Sequence, residues 1–274
     1  MALKHVIVHV DGSARARERI DLALSLSREH GARVTGLFAE NVSLGSSIVG
    51  RRSPDAIQAS MQTAQATFAA KAATAGLASV WWALEARGDV GRLAGDVAIC
   101  CRYADMAVFG QHEGEGARLP EEVLESVVLE SGRPVLIVPE IGRYASVGKR
   151  VVIAWTGSRE SARAVNDALP LMTGAELVAI LAFQQQREGA STFPKLDIVA
   201  HLESHGIQAR YERVVVGEED DIGVRDSVLN RTSDLSADLI VMGARAAHAF
   251  GVARLASHAR AFLRSMTTPV LLSA

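Results

Sequence analysis

The sequence predicts an α/β protein built as two doubly wound five-stranded parallel sheets, each with helices on both faces. Three observations lead there. First, the strand candidates are short, continuous apolar runs rich in β-branched residues, such as Leu3–Val10 and "RVVIAW" (150–155); strands covered on both faces have this pattern. Second, amphipathic helical segments separate these runs, and strict alternation of strand and helix forces parallel pairing through right-handed crossovers. Third, the chain repeats itself. "HVIVHVDGSARARERIDLAL" (5–24) answers "RVVIAWTGSRESARAVNDAL" (150–169), "ADMAVFG" (104–110) answers "ADLIVMG" (237–243), and "RPVLIVP" (133–139) answers "TPVLLSA" (268–274). The order is kept and only loop lengths differ, as in a duplicated domain.

Each element of the first copy has a local reason. Leu3–Val10 is the first strand, and the helix after it has Ser13 as expected N-cap and Gly31 as C′ stop. "ARVTGLFAE" (32–40) is the second strand. Residues 54–76 make an Ala-rich helix with Pro54 in its first turn and Gly76 at its end. "SVWWALEAR" (79–87) is the third strand, with Trp81 and Trp82 on opposite faces; a helix over 90–103, a strand over 105–110, a helix over 119–131 and a strand over 134–138 complete the copy. The second copy is expected to place strands near 150–155, 176–182, 209–216, 238–242 and 269–273 with helices between, Ser158 capping the first. "PEIGRYASVGK" (139–149), polar and broken by Pro and Gly, is the join, so the expected domains are 1–142 and 147–274.

Composition narrows the function classes. Hydrophobic residues make up 49% and charged residues 22% of 274, which suits a globular chain with a sizeable core. A formal net charge of −2 gives no general attraction to nucleic acid or anionic membrane. No run approaches the roughly 18 apolar residues of a membrane span, and "MALKHVIVHVDGS" is too short an apolar run for a secretory leader. The two cysteines, Cys100 and Cys101, are adjacent, a spacing poor for a disulfide, and read as reduced thiols on a helix. The expected location is the cytoplasm.

Strand–Asp–Gly–Ser–helix at the start, then "ADLIVMG", a helix and "TPVLL" at the end, resembles the universal stress protein domain, and the resemblance covers nearly the whole chain twice. It implies a Rossmann-like fold of the adenine nucleotide alpha hydrolase type, and a tandem protein whose halves form an intramolecular pseudo-dimer. In nucleotide-binding members of that family the loop after the fourth strand reads G-x2-G-x9-G-[ST], with an acid after the first strand at the nucleoside end. The chemistry is that of glycines letting backbone amides close on phosphate oxygens at a helix N-terminus.

On the second copy this frame falls on Gly243, Ala246, Ala256 and Ser257: two glycines have become alanine, and the first-strand acid is Thr156. Arg245 and His248 stand where they could contact an anion. The first copy keeps Asp11 and Gly110, but Glu113 takes the second glycine's place. The Gly-Ser pair is replaced by Val123-Leu124 or by Glu121-Glu122, depending on the direction of counting. Carboxylates at Glu113, Glu115, Glu121 and Glu122 complement a helix dipole and repel a triphosphate. They read as helix-capping groups or as a site for a cation or basic partner.

Other signals are weaker. "GSSIVGRRS" (45–53) lacks the lysine of a P-loop, and no strand ends before it. "GEEDD" (217–221) lacks the spaced ligands of a calcium loop. His201 and His205 share a helix face with no third ligand nearby in sequence. No nucleophile motif is present, so no catalytic residue and no metal site are assigned. The expected protein is a non-enzymatic binding or regulatory protein without a bound cofactor. The alternative is an ATP-binding sensor with the second copy as its residual site. The last strands, Val135–Val138 and Val270–Leu272, are expected to pair across the two copies, which leaves room for a homodimer through another surface.

Overall fold

In a computed structural model of the chain, residues 2–41, 52–84, 89–112, 114, 117–183, 197–214, 221–249 and 252–274 are described. The first half runs β1 (His5–Val10), α1 (Ala16–His30), β2 (Arg33–Phe38), α2 (Pro54–Thr74), β3 (Ser79–Ala83), α3 (Val90–Cys101), β4 (Met106–Gly110), α4 (Glu121–Glu130) and β5 (Val135–Val138). The second runs β6 (Arg150–Trp155), α5 (Arg159–Met172), β7 (Leu177–Phe183), α6 (Ile198–Ser204), β8 (Arg210–Val214), α7 (Asp221–Asp234) and β9 (Leu239–Gly243). It continues with β10 (Ala246–Ala249), β11 (Val252–Leu255), α8 (Ser257–Ser265) and β12 (Val270–Ser273).

The two expected sheets are one. Ten strands run in the order β3-β2-β1-β4-β5-β12-β9-β6-β7-β8, parallel within each half and antiparallel only where β5 meets β12. The expected seam is there, with Val270 opposite Ile137, Leu271 opposite Leu136 and Leu272 opposite Val135. This register puts like residues on like faces. Leu136 and Leu271 lie in the core layer on one side of the sheet, and Val135, Ile137, Val270 and Leu272 in the layer on the other, so both layers cross the seam without a break. Trp81 and Trp82 pack into opposite layers, as expected from a strand's period of two.

The repeated Ala-Asp dipeptide has a structural cause. The Asp105 carboxylate accepts from the amides of Lys4 and His5, at 2.7 and 2.9 Å, and Asp238 accepts from those of Gly148, Lys149 and Arg150, at 3.0–3.1 Å. Each aspartate precedes the fourth strand of its half and ties down the start of the first. Several helix ends match expectation: Pro54 opens α2, Gly31 closes α1 with φ 62°, and Ser158 caps α5 through the Ser161 amide at 3.2 Å.

Two local expectations fail. Ser13 is not the cap of α1: the helix begins at Ala16 after Arg15, with no side-chain cap. The Ser13 amide is turned back to the Asp11 carboxylate, 2.9 Å away, so the chain makes an Asp-centred turn before the helix starts. In the second half, the loop after the fourth strand does not pass straight into a helix. It folds as an antiparallel hairpin, β10 on β11.

Candidate functional site

In doubly wound sheets the ligand crevice lies beyond the carboxyl ends of the strands, where strand order reverses. In the first half that point lies between β1 and β4, and it brings Asp11 and Gly110 together. A third residue joins them. Arg19, on the buried stripe of α1, places Nη2 2.9 Å from the Asp11 carboxylate and donates from Nε to the His9 carbonyl at 3.3 Å. Its side chain lies directly over Gly110, where any Cβ would strike the guanidinium. Both partners are almost wholly buried, at 4% and 7% exposure. Burial pushes the Asp11 carboxyl up, but the Arg19 guanidinium, with the Ser13 amide, outweighs it and holds it well below the usual carboxylate range.

His9 completes the cluster without a charge. Its Nε2 lies 2.8 Å from the Ala39 carbonyl, which can only accept, so Nε2 carries the proton. Burial, aided by Arg19, holds its pKa below the ordinary value, and the ring stacks on Phe109 with centroids 5.3 Å apart. The 3.9 Å approach of Nδ1 to Asp11 is therefore a contact of a neutral imidazole.

A second buried carboxylate closes the neighbouring space. Glu40, fully buried at the end of β2, accepts from the Gly12 amide at 2.7 Å and the Ser60 hydroxyl at 2.9 Å. It pairs with Arg118 at 3.2 Å and with Arg52. The room left among His9, Asp11, Arg19, Gly110, Gln111 and Arg118 is about 30 Å³. That suits about one water; a small-molecule pocket needs roughly 300–1,000 Å³. Of the larger hollows, one of about 390 Å³ lies between α1 and α2, and one of about 350 Å³ is lined by Asp11, Gly12 and Ser13 of the β1–α1 loop together with α1 and α2; neither is lined by the strand-four loop.

In the second half Gly243 is needed for packing: a Cβ there would run into the backbone of Glu160 and Ser161 at the start of α5. The Ala244 amide donates to the Ser273 carbonyl at 2.7 Å, and Ala256 donates to Arg245 at 3.0 Å, closing the base of the hairpin. Ala246 faces Leu255 across that hairpin, which sets it beside Ala256 and Ser257 at the start of α8. Arg245 is exposed there, and His248 lies on β10. The Thr156 hydroxyl, in the place of the acid, donates to Ser158 at 3.0 Å.

The strand-four loops of the two halves engage each other. Gln111, next to Gly110, donates to the Leu263 carbonyl of α8 at 2.7 Å. Glu121 meets Arg264 at 3.0 Å, Glu122 meets Arg254 at 3.4 Å, and Glu125 meets Arg254 at 2.6 Å and Arg260 at 3.8 Å. Glu121 and Glu122 thus have a basic partner, and it is the other half of the same chain. Glu113 and Glu115, "GSSIVGR" (45–51) and "GEED" (217–220) lie outside the described residues.

Arg19, Glu40, Arg118 and Gln111 are the residues that sequence reasoning missed. Arg19 left a signal, as a cation on a stripe otherwise formed by Ala16, Ile20, Ala23 and Leu26–Ser27. Among the described residues no group of three or more His, Cys, Asp or Glu is placed to hold a metal; His201 and His205 meet as a pair, ring centroids 5.0 Å apart. Burial pushes both thiols up, at Cys100 and Cys101, which leaves them poor nucleophiles. No described helix is long and apolar enough to cross a membrane.

A mostly parallel sheet with its crevice at the β1/β4 switch point defines the class: a doubly wound α/β protein. Residues 148–273 match the model of the universal stress protein family. The fold over the whole chain is similar to that of several solved proteins. A universal stress protein from Archaeoglobus fulgidus DSM 4304 superposes with a TM-score of 0.69 at 15% identity, covering 98% of this chain and 95% of the other. A functionally unknown protein from Pseudomonas aeruginosa PAO1 gives 0.61 at 13%, covering 99% and 92%. A putative universal stress protein from Pseudomonas aeruginosa UCBPP-PA14 gives 0.61 at 14%, covering 99% and 93%. No match was found among curated proteins.

Proposed function

We propose that the protein is a non-enzymatic binding or regulatory protein of the stress response, cytoplasmic, with domains at 1–142 and 147–274, and that its first domain holds no nucleotide. The observation that carries this reading is the buried Arg19–Asp11 pair lying over Gly110. The acid that would meet a nucleoside is already engaged, and the glycine that would admit a phosphate is already covered. Opening the site would separate a buried ion pair, which costs about 3–5 kcal/mol when one partner is lost. Calorimetric titration of the full chain with ATP and magnesium tests it. No saturable heat from the first domain is expected, and micromolar affinity that survives disruption of the second-domain loop would overturn the reading.

A second reading keeps ATP, at the second domain alone. It is favoured by the hairpin, which sets Ala246 opposite Leu255 just before Ala256 and Ser257 at the start of α8, with Arg245 exposed. In this reading Arg245 and His248 would supply positive charge that the lost glycine amides no longer focus. The same titration repeated on Arg245→Ala separates the two: heat that disappears with Arg245 assigns the nucleotide to this loop.

A further inference from the structure

The ten-stranded sheet has two outer edges, β3 and β8, and they are treated differently. β8 reads "RYERV", with charges at Arg210, Glu212 and Arg213. Charged side chains of this kind keep an edge from pairing with another chain. β3 reads "SVWWA", with no charge, no proline and no glycine. Its hydrogen-bond phase is set by two bonds to the β2 side: Val34 N donates to the Ala78 carbonyl at 3.3 Å, and Leu84 N donates to the Phe38 carbonyl at 3.0 Å. In a parallel ladder alternate residues turn their amides the other way, so Ser79, Trp81 and Ala83 direct N–H and C=O outward. Among the described residues no strand receives them.

Exposed apolar side chains are found at this edge and also on and just after α3. Val80 is 44% exposed, and on and just after α3 Ile99 is 47% and Tyr103 69% exposed. Trp82 packs edge-on to His5, with ring centroids 6.3 Å apart, and the Tyr103 carbonyl lies 2.6 Å from Nδ1 of the same His5. The strand and the end of α3 therefore flank one side chain. Exposed apolar groups that cluster at an unpaired edge mark an interaction surface.

We propose that this face is the interface with a second copy of the chain, formed by β3 pairing antiparallel with β3 about a two-fold axis. Charge selects the occupant. An incoming strand must bring no unpaired charge against Val80 and the tryptophans, and of the two outer edges described here only β3 itself meets that condition. Pairing β3 with β8 would set Arg210, Glu212 and Arg213 against an apolar strand, and such a head-to-tail contact would repeat without closing. A β3–β3 contact closes at two copies. The chain already uses the same arrangement at its centre, where uncharged β5 and β12 pair antiparallel. A five-residue strand alone falls short of the roughly 1,000 Å² of a stable interface, so Tyr103 and Ile99 must contribute.

Sedimentation equilibrium of the full chain over a concentration series tests this. A reversible dimer is expected, with Val80→Lys shifting its dissociation constant at least about tenfold toward monomer and Tyr211→Lys, on the β8 edge, leaving it unchanged. Circular dichroism establishes that each variant is folded; should Val80→Lys not fold, Tyr103→Glu takes its place, on a side chain already in water. A wild-type chain that stays monomeric throughout overturns the proposal. So does a dimer indifferent to Val80→Lys and Tyr103→Glu, or one weakened equally by Tyr211→Lys.

Discussion

Arg19 decides more about the first half than any other single residue. A guanidinium with 4% of its side chain exposed is tolerable only because Asp11 and the His9 carbonyl receive it. Arg19→Met should leave the Asp11 carboxylate buried and unpaired and lower stability by about 3–5 kcal/mol. Adding Asp11→Asn should recover part of that loss, because the orphaned charge is gone. Urea denaturation of the single and double variants measures both, and additive losses would count against the pairing.

Three histidines, one of them in this cluster, set a pH dependence. His5, His9 and His30 all have folded pKa values below the ordinary 6.5, first through burial. Protonation is thus harder in the folded chain than in the unfolded one. Their contribution to stability is present above pH 6.5 and is lost as pH falls below it. Each adds a slope of up to about 1.4 kcal/mol per pH unit between its unfolded and folded values. Asp11, also lowered, extends the loss below pH 3.8. Glu125 has the opposite sign: burial, with Glu121 and Glu122, raises its pKa against Arg254 and Arg260, so its protonation offsets part of the loss near and above pH 4.5. Thermal melts should therefore show stability falling from pH 7 to pH 5, and falling less in His9→Asn if that side chain keeps the Ala39 bond.

At the scale of elements, the two Ala-Asp repeats should behave as anchors. Asp238 accepts from three amides at the start of β6, and Asp238→Ala should cost about 1.5–3 kcal/mol, the range for hydrogen bonds to a charged group. Amide exchange should rise first at Val151 and Val152. The hairpin carries the test of the second-half loop. If the methyl groups at Ala246 and Ala256 are what keep phosphate away, Ala246→Gly with Ala256→Gly should raise ATP affinity in calorimetry. If affinity does not change, Thr156 in the acid's place or the closed base of the hairpin is responsible.

For the whole molecule the seam is the deciding feature. Val135–Val138 and Val270–Ser273 are fully apolar or buried, and each is the other's only neighbour on that side. Expressed separately, residues 1–145 and 146–274 should each expose an edge strand and self-associate, which light scattering would reveal. Two soluble monomers would mean that the seam contributes little to either half. The ion pairs of α4 with β11 and α8 add orientation to this contact. The pairs of Glu121 and Glu122 are partly exposed and contribute roughly 0–1 kcal/mol each, whereas Glu125 is buried between Arg254 and Arg260.

The sequence by itself determined the strand and helix order, apart from the hairpin after β9, together with the duplication and the seam. These are local or periodic properties: β-branched runs, capping residues such as Ser158, Pro54 and Gly31, and apolar last strands in both copies are visible without coordinates. The resemblance also pointed to Asp11 and Gly110, which the structure brings to one crevice. Only the tertiary structure decided what fills that crevice. Arg19 and Glu40 reach it from α1 and β2, and Gln111, Glu121, Glu122 and Glu125 are engaged by residues more than a hundred positions away. The hairpin after β9 and the refusal of Ser13 to cap α1 were hidden for the same reason. A side chain's partner is chosen by the packing of the whole chain, and a hydrogen bond formed across the sheet outweighs the local preference that a short stretch of sequence displays.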